Sequence, residues 1–302
     1  AVASGARLVI AVGGDGTVRA VAAGLAGTDA ELGVIPLGTA NLAARNLGLP
    51  IGDLDAIIAV AVTGPARPTD LAWVSTTPCP DPPQADPLIP PGGWARPTLG
   101  PEHACLVVTG IGFDAALIAV TSPALKARIK WGAYALAALE NLRTPRMELS
   151  LDLVGTPDDG PSDAPRAPHP ESSDAPHPGP PPRPEHLVAR CLLIANGGRL
   201  PAGIVLIPGA RMDDGLLDVA AIDTVAGLAG WTSLARQVLP PFAATYSDPS
   251  RALGRVRLRR GTAVTVHLTE PAPAQVDGEL LAPTRSLRVR MDAGALRVRC
   301  PE

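Results

Sequence analysis

The residues best suited to chemistry come early, where the apolar run Leu8–Val12 breaks into Gly13-Gly14-Asp15-Gly16-Thr17. Three glycines leave backbone N–H groups uncovered, a following helix would aim its positive end at the same place, and Thr17 adds a hydroxyl. Together they suit an anion such as phosphate. Asp15 is out of character there, because a carboxylate repels polyphosphate unless a divalent metal or a proton intervenes. It points to magnesium or to a direct part in phosphoryl transfer. The pattern is neither a Walker A loop nor GxGxxG, and the same residues also suit a glycine turn with an aspartate cap. A second corner, Val34-Ile35-Pro36-Leu37-Gly38-Thr39-Ala40-Asn41, repeats the arrangement. Thr39 and Asn41 stand where side chains bond a nucleotide or cap the next helix.

Both corners need strands to deliver them. Apolar patterning predicts strands at Arg7–Val12, Gly33–Pro36 and Leu71–Ser75, and helices at Val18–Leu25, Thr39–Leu47 and Leu54–Val62, the last capped by Asp53. Alternating strand and helix is the signature of an α/β unit with a parallel sheet. Its ligands bind at the carboxyl ends of the strands, where both corners fall. From Cys105 onward the expectation changes to a β-rich, sandwich-like second domain. Strands are expected at Cys105–Thr109, Met147–Val154, Leu187–Ala195, Ile204–Ile207, Leu216–Ile222, Arg255–Leu258, Ala263–Leu268 and Leu287–Met291, with one long helix at Pro123–Leu142.

Of 35 prolines in 302 residues, nine fall in Thr76–Pro101 and eleven in Pro157–Pro184. Neither segment has apolar periodicity, so both read as insertions, the second disordered and PPII-like. The expected layout is an α/β nucleotide-binding domain over 1–75 and a Pro-rich insert over 76–101. A β-rich domain over 102–284 follows, with its own insert at 157–185, and a tail from about 285 to 302 returns to the first domain.

The chain has 46% hydrophobic residues, which supports a sizeable core. A net charge of −3 and a pI near 6.0 argue against nucleic acid as a partner. The four cysteines, Cys79, Cys105, Cys191 and Cys300, form no CxxC pair, which fits free thiols in a reducing compartment. The five histidines show no ligand spacing. No apolar run is long enough to span a bilayer.

The ordered set of segments resembles the diacylglycerol kinase and sphingosine kinase superfamily of lipid kinases, especially its bacterial members. Gly13–Thr17 is similar to the GGDGT nucleotide motif, Pro36–Asn41 to P-x-G-T-x-N, and Gly110-Ile111-Gly112-Phe113-Asp114 to G-x-G-[FY]-D. Asn196–Gly198, Asp213–Asp218 and Val276-Asp277-Gly278-Glu279 resemble later family segments in the same order. GGDGT alone is shared with NAD kinases, which leaves a NAD kinase-like enzyme or an impaired nucleotide-binding remnant as alternatives.

The resemblance implies transfer of the γ-phosphoryl group of ATP, with Mg2+, to the hydroxyl of diacylglycerol, a sphingoid base or a related lipid. Nucleotide would lie on Gly13, Gly14, Gly16, Thr17, Gly38, Thr39 and Asn41. Asp15, Asp70 and Glu279 fall where the family keeps its active-site acids, Glu279 as general base. Asp214 and the carbonyl of Leu216 match a structural magnesium site, although its first ligand falls on Arg211. Read without the resemblance, Val276–Glu279 is a turn between strands and Asp70 a strand-entry cap. Leu42 and Ala20 depart from the family's acidic or amide positions, and the family's upstream strand and phosphate loop do not precede Gly13 in this chain. The implied partner is a lipid at a membrane surface. The implied location is cytoplasmic, with peripheral contact at the inner face of the cell membrane. Lys126, Arg128 and Lys130 on the Pro123–Leu142 helix would touch anionic lipid or simply be solvated. A homodimer is compatible with the sequence, which does not fix the oligomeric state.

Overall fold

A computed structural model describes residues 1–78, 93–112, 146–155, 184–199, 205, 207, 209–224 and 254–302. Strands β1 (Leu8–Gly13) and β2 (Glu31–Pro36) pair in parallel, from Leu8 opposite Glu31 to Gly13 opposite Pro36. Helix α1 (Asp15–Leu25) joins them, burying Val18, Ala22 and Leu25 against the sheet. Two more helices follow, α2 (Leu42–Asn46) and α3 (Leu54–Thr63). Asp53 caps α3 by accepting the Ala56 N–H at 3.1 Å.

The regular elements that follow α3 in the described chain are strands: β3 (Ala66–Pro78), β4 (His103–Cys105), β5 (Val108–Gly112), β6 (Met147–Val154), β7 (Glu185–Ala189) and β8 (Cys191–Ala195). Then come β9 (Leu217–Thr224), β10 (Gly254–Gly261), β11 (Ala263–Val276) and β12 (Glu279–Arg299). They join one mixed 12-stranded network whose longest path is β1-β2-β12-β11-β5-β8-β9-β10. Strand β12 is the hub. It pairs antiparallel with β11 and β3, and near its end in parallel with β2, Arg297 opposite Glu31 and Val298 opposite Leu32.

Alternate residues of the central strands face two separate cores. Leu71 and Trp73 of β3, with Cys191, Leu193 and Ala195 of β8, pack with α1 and α2. Their neighbours Ala72, Val74, Leu192 and Ile194 pack with β11 and the sandwich interior. Side chains on a strand point alternately to its two faces, so a strand covered on both must be apolar throughout. Strand β8 is such a strand, buried at all five positions. Trp73 is the largest fully buried side chain among the described residues; its indole N–H donates to Asp292 at 3.1 Å and Arg290 stacks over its ring.

Several sequence expectations need correction. The strand expected at Cys105–Thr109 is two, because the Leu106, Val107 and Val108 N–H groups turn toward the Asp277 carboxylate instead of a neighbouring strand. Leu187–Ala195 is likewise broken at Arg190, which separates β7 from β8. The helix expected from Thr39 begins at Leu42, since Asn41 has φ of 49° and cannot lie inside a helix. Leu71–Ser75 is the middle of a 13-residue strand, so Asp70 sits within β3 and is not an entry cap. Of Ile204–Ile207, the described residues show an isolated bridge between Val205 and Arg199. Within Thr76–Pro101, Thr76 and Thr77 continue β3 opposite Leu287 and Ser286, and Ala95 donates to Leu280. Phe113, Asp114, the Pro123–Leu142 helix and nearly all of the insert at 157–185 lie outside the described residues.

Candidate functional site

The two glycine corners meet. Leu37 donates its N–H to the Gly13 carbonyl at 2.9 Å. A Cβ on Gly38 would lie 2.7 Å from the Gly14 Cα, so the backbones approach as only glycine permits. Thr17 and Thr39 are exposed beside this contact. Asn41 donates to the Gly38 carbonyl at 2.8 Å, while its own Oδ1 is buried without a partner. That orphan acceptor faces the corners and would be satisfied by a ligand's donor.

Asp15, in the first turn of α1, crosses to the second corner. Its Oδ1 accepts the Ala43 N–H at 3.3 Å and so caps α2 from another element. Burial raises its carboxyl above the ordinary carboxylate value, the charge of Asp277 adds to this, and the α2 amides oppose it. Among the described residues no cationic side chain pairs with it. A half-buried carboxylate at a glycine corner, with no cationic partner among the described residues, fits a divalent cation arriving with phosphate.

Glu279 reaches the same place from the β-rich side. Val276 and Glu279 pair at the base of a two-residue hairpin, in which Asp277 has φ of 46° and Gly278 φ of 86°. The Asp277 carboxylate accepts three backbone N–H groups, from Leu106 at 2.7 Å, Val107 at 2.9 Å and Val108 at 3.0 Å, which anchors the turn. Burial nevertheless raises its pKa. Beyond the anchored tip, Glu279 stands over α1. Its Oε1 is so close to Gly16 that any Cβ there would collide with it, and its Oε2 is bound by the Arg19 guanidinium.

Gly16 and Arg19 are three apart and therefore share a helix face. That one face admits the carboxylate and holds it. Arg19 is buried, 4% exposed, and also donates to the Val276 carbonyl at 2.9 Å. Glu279 is 46% exposed, and no described residue hydrogen-bonds its Oε1.

Two residues of this cluster carry no sequence signal that singled them out. Arg19 follows the glycine motif as one polar residue on an apolar helix; its burial was the missing information. His103 is a lone buried histidine in β4. Burial lowers its pKa, Arg19 lowers it further, and Glu279 and the Arg96 backbone oppose.

The other expected acids go elsewhere. Asp70 is 2% exposed and uses both oxygens on backbone, accepting Gly215 and Gly294 N–H groups at 2.7 Å each. None of its hydrogen bonds reaches Asp15 or Glu279. Asp214 accepts the Leu216 N–H at 3.1 Å and an Arg260 N–H at 2.6 Å. Arg211 forks onto Asp213. This corner does not fit a magnesium ion, since a guanidinium already fills the space before its carboxylates. No group of three or more His, Cys, Asp or Glu among the described residues could hold a metal. Asn196 ties the Asp70 and Leu106 carbonyls together at 3.0 and 2.9 Å, and Asn46 of α2 brackets the Arg199 backbone. Cys105, Cys191 and Cys300 are buried thiols, not joined in disulfides among the described residues. Among the described residues no helix is long and apolar enough to cross a membrane.

Comparison with known proteins follows the same division. Residues 1–74 match the model of the diacylglycerol kinase catalytic domain, and residues 105–300 that of the YegS C-terminal NAD kinase beta sandwich-like domain. A Pseudomonas aeruginosa protein named "Probable lipid kinase YegS-like" is 30% identical over 306 residues, covering 100% of this chain and 79% of its own. The Bacillus subtilis protein named diacylglycerol kinase is 47% identical over 70 residues, 22% of this chain and 23% of its own. Crystal structures of diacylglycerol kinase-type proteins from Bacillus anthracis str. Sterne align with TM-scores of 0.64 and 0.59. At 19% and 21% identity they cover 99% of this chain and 78% and 79% of theirs, which shows a shared fold. With an α/β catalytic part and a β sandwich each matched over its own stretch, and one relative aligned along the whole chain, the protein belongs to the YegS-like lipid kinases, a family of phosphotransferases.

Proposed function

We propose that the protein transfers the γ-phosphoryl group of ATP to the hydroxyl of a lipid alcohol, diacylglycerol, a sphingoid base or a related lipid. The observation that carries this reading is the convergence of two glycine corners on a carboxylate from the other half of the molecule, with its free oxygen over Gly16. Phosphate oxygens would take backbone N–H groups at Gly14, Gly16 and Gly38, beside Gly13, with Thr17 and Thr39 adding hydroxyls. Asn41 Oδ1 would accept from the nucleotide. The magnesium that accompanies ATP would neutralise phosphate charge, and Asp15 is the carboxylate placed to meet it.

Glu279 would then act as the general base. Arg19 fixes Oε2, leaving Oε1 to accept the lipid hydroxyl's hydrogen. As the hydroxyl oxygen bonds to the γ-phosphorus and the bond to the ADP oxygen breaks, the proton passes to Glu279. The products are lipid phosphate and ADP, and Glu279 later returns its proton to water. Such transfer depends on positioning and charge more than on covalent help, and a buried arginine that immobilises the base supplies the positioning. Asp70 would serve the site at one remove, by holding the 215 and 294 backbone. The lipid would be met at a membrane surface.

The test is transfer of labelled phosphate from [γ-32P]ATP to a total lipid extract, with NAD as a parallel acceptor. Label in a phosphorylated lipid is the expected result. The name of the family matching residues 105–300 makes NAD the specific rival. Label in NADP with none in lipid would replace this reading.

A further inference from the structure

At the start of β9, two carboxylates face one guanidinium. Arg260 of β10 stands opposite Asp218 of β9 in the strand register. Its Nε donates to Asp218 Oδ1 at 2.9 Å, and its Nη2 to Asp214 Oδ2 at 2.6 Å and Asp218 Oδ2 at 3.5 Å. The remaining oxygen of Asp214 takes the Leu216 N–H at 3.1 Å, closing the turn on itself. Asp218 is only 6% exposed, so its charge needs a neighbour of opposite sign.

We infer that the Arg260 guanidinium is the resident cation of the Asp214–Asp218 corner, standing in for the divalent ion that the resemblance assigns there. Two features support the exchange. Arg211, at the position expected to supply the first metal ligand, is itself cationic and turned onto Asp213 at 2.8 and 3.0 Å. Both Asp214 oxygens are already engaged, Oδ2 by Arg260 at 2.6 Å and Oδ1 by the Leu216 N–H at 3.1 Å, which closes the turn without any ion.

A cation bonded to the chain cannot dissociate, so the corner's stability is decoupled from divalent ion concentration. The effect reaches further than the corner. The same turn carries Gly215, which donates to Asp70, and Met212, whose carbonyl accepts the Asp70 N–H at 2.7 Å. Arg260 therefore fixes the platform on which Asp70 and the Gly294 segment rest.

The test is thermal unfolding of the whole chain without nucleotide, in EDTA or in millimolar magnesium or calcium. The wild type should give one midpoint in all three. Arg260→Gln, which leaves two facing carboxylates, should lower the EDTA midpoint by about 3–8 °C. Calcium should recover part of that loss, and Arg260→Gln with Asp214→Asn should lose the recovery. An Arg260→Gln midpoint equal to wild type, or a fall that calcium leaves untouched, would overturn the assignment. Should Arg260→Gln fail to fold, terbium luminescence of the wild type and Asp214→Asn decides it. A wild-type signal abolished by Asp214→Asn counts against a resident guanidinium, and signals that do not depend on Asp214 support it. None of these readouts requires the kinase reading to hold.

Discussion

The hairpin that carries Glu279 and the turn that carries Asp214 are built from the same pieces and finish differently. Each contains Asp-Gly with the glycine at positive φ, 86° at Gly278 and 72° at Gly215, and each is docked by a buried aspartate onto backbone N–H groups. In the hairpin, Asp277 takes the backbone donors, and Glu279 two residues on is left with one oxygen open. At the turn, Asp214 and the Asp70 of β3 that docks it each have both oxygens engaged. A carboxylate is available for proton transfer only where something else has satisfied the donors around it. Motif similarity marks all of these acids alike; hydrogen-bond occupancy separates them.

The strongest way to break this comparison is Glu279→Gln, which should lower the phosphoryl-transfer rate about 10²–10⁴-fold. An equal fall in kcat for Asp70→Asn, with unchanged unfolding, would erase the distinction. Pairing Glu279→Gln with Arg19→Met tests the ion pair. The double variant should be more stable than Glu279→Gln alone, which leaves a buried arginine uncompensated, yet remain as inactive.

Next in size, Asp277→Ala strips three N–H groups of a charged acceptor and should cost about 3–5 kcal/mol in denaturant unfolding. Asp70→Asn keeps one acceptor oxygen for two amides and should cost about 1–3 kcal/mol, with activity retained per folded molecule.

The smallest effect expected is on pH dependence. Burial favours neutral His103 in the folded protein, below the ordinary value of 6.5. The unfolded chain therefore binds a proton that the folded one resists. Stability held above pH 6.5 is lost as pH falls toward the lowered value. Wild-type unfolding midpoints should drop over that interval, and His103→Asn should flatten the drop.

Much of the α/β part was legible from sequence because its signals are local. The apolar run into Gly13 and the Asp53 cap each depend on residues a few positions apart, and both stand as expected. The β-rich part was legible as strands but not as boundaries. Patterning cannot see that Leu106–Val108 surrender their N–H groups to a carboxylate 170 residues away, nor that Arg190 breaks an otherwise continuous apolar run. For the site, residue type located the glycines and, by resemblance, Glu279. Arg19 and His103 stayed hidden because burial, the property that distinguishes them, is set by strands β11 and β4 arriving from far along the chain. Arg260 was hidden for the same reason, as its meaning comes from its register with Asp218.

Strand β12 also sets when the protein can begin to work as it is made. It starts at Glu279 over the glycine helix and, after its break at Asp292–Leu296, ends against β2 with Val298 opposite Leu32. The sheet that delivers the second glycine corner is therefore flanked on one side by a segment translated some 266 residues later. Contacts that distant close slowly and only after the intervening chain exists. Until residue 298 has left the ribosome, β2 presents an edge of unpaired N–H and C=O groups, and the two glycine corners and Glu279 are brought together in the same closing step.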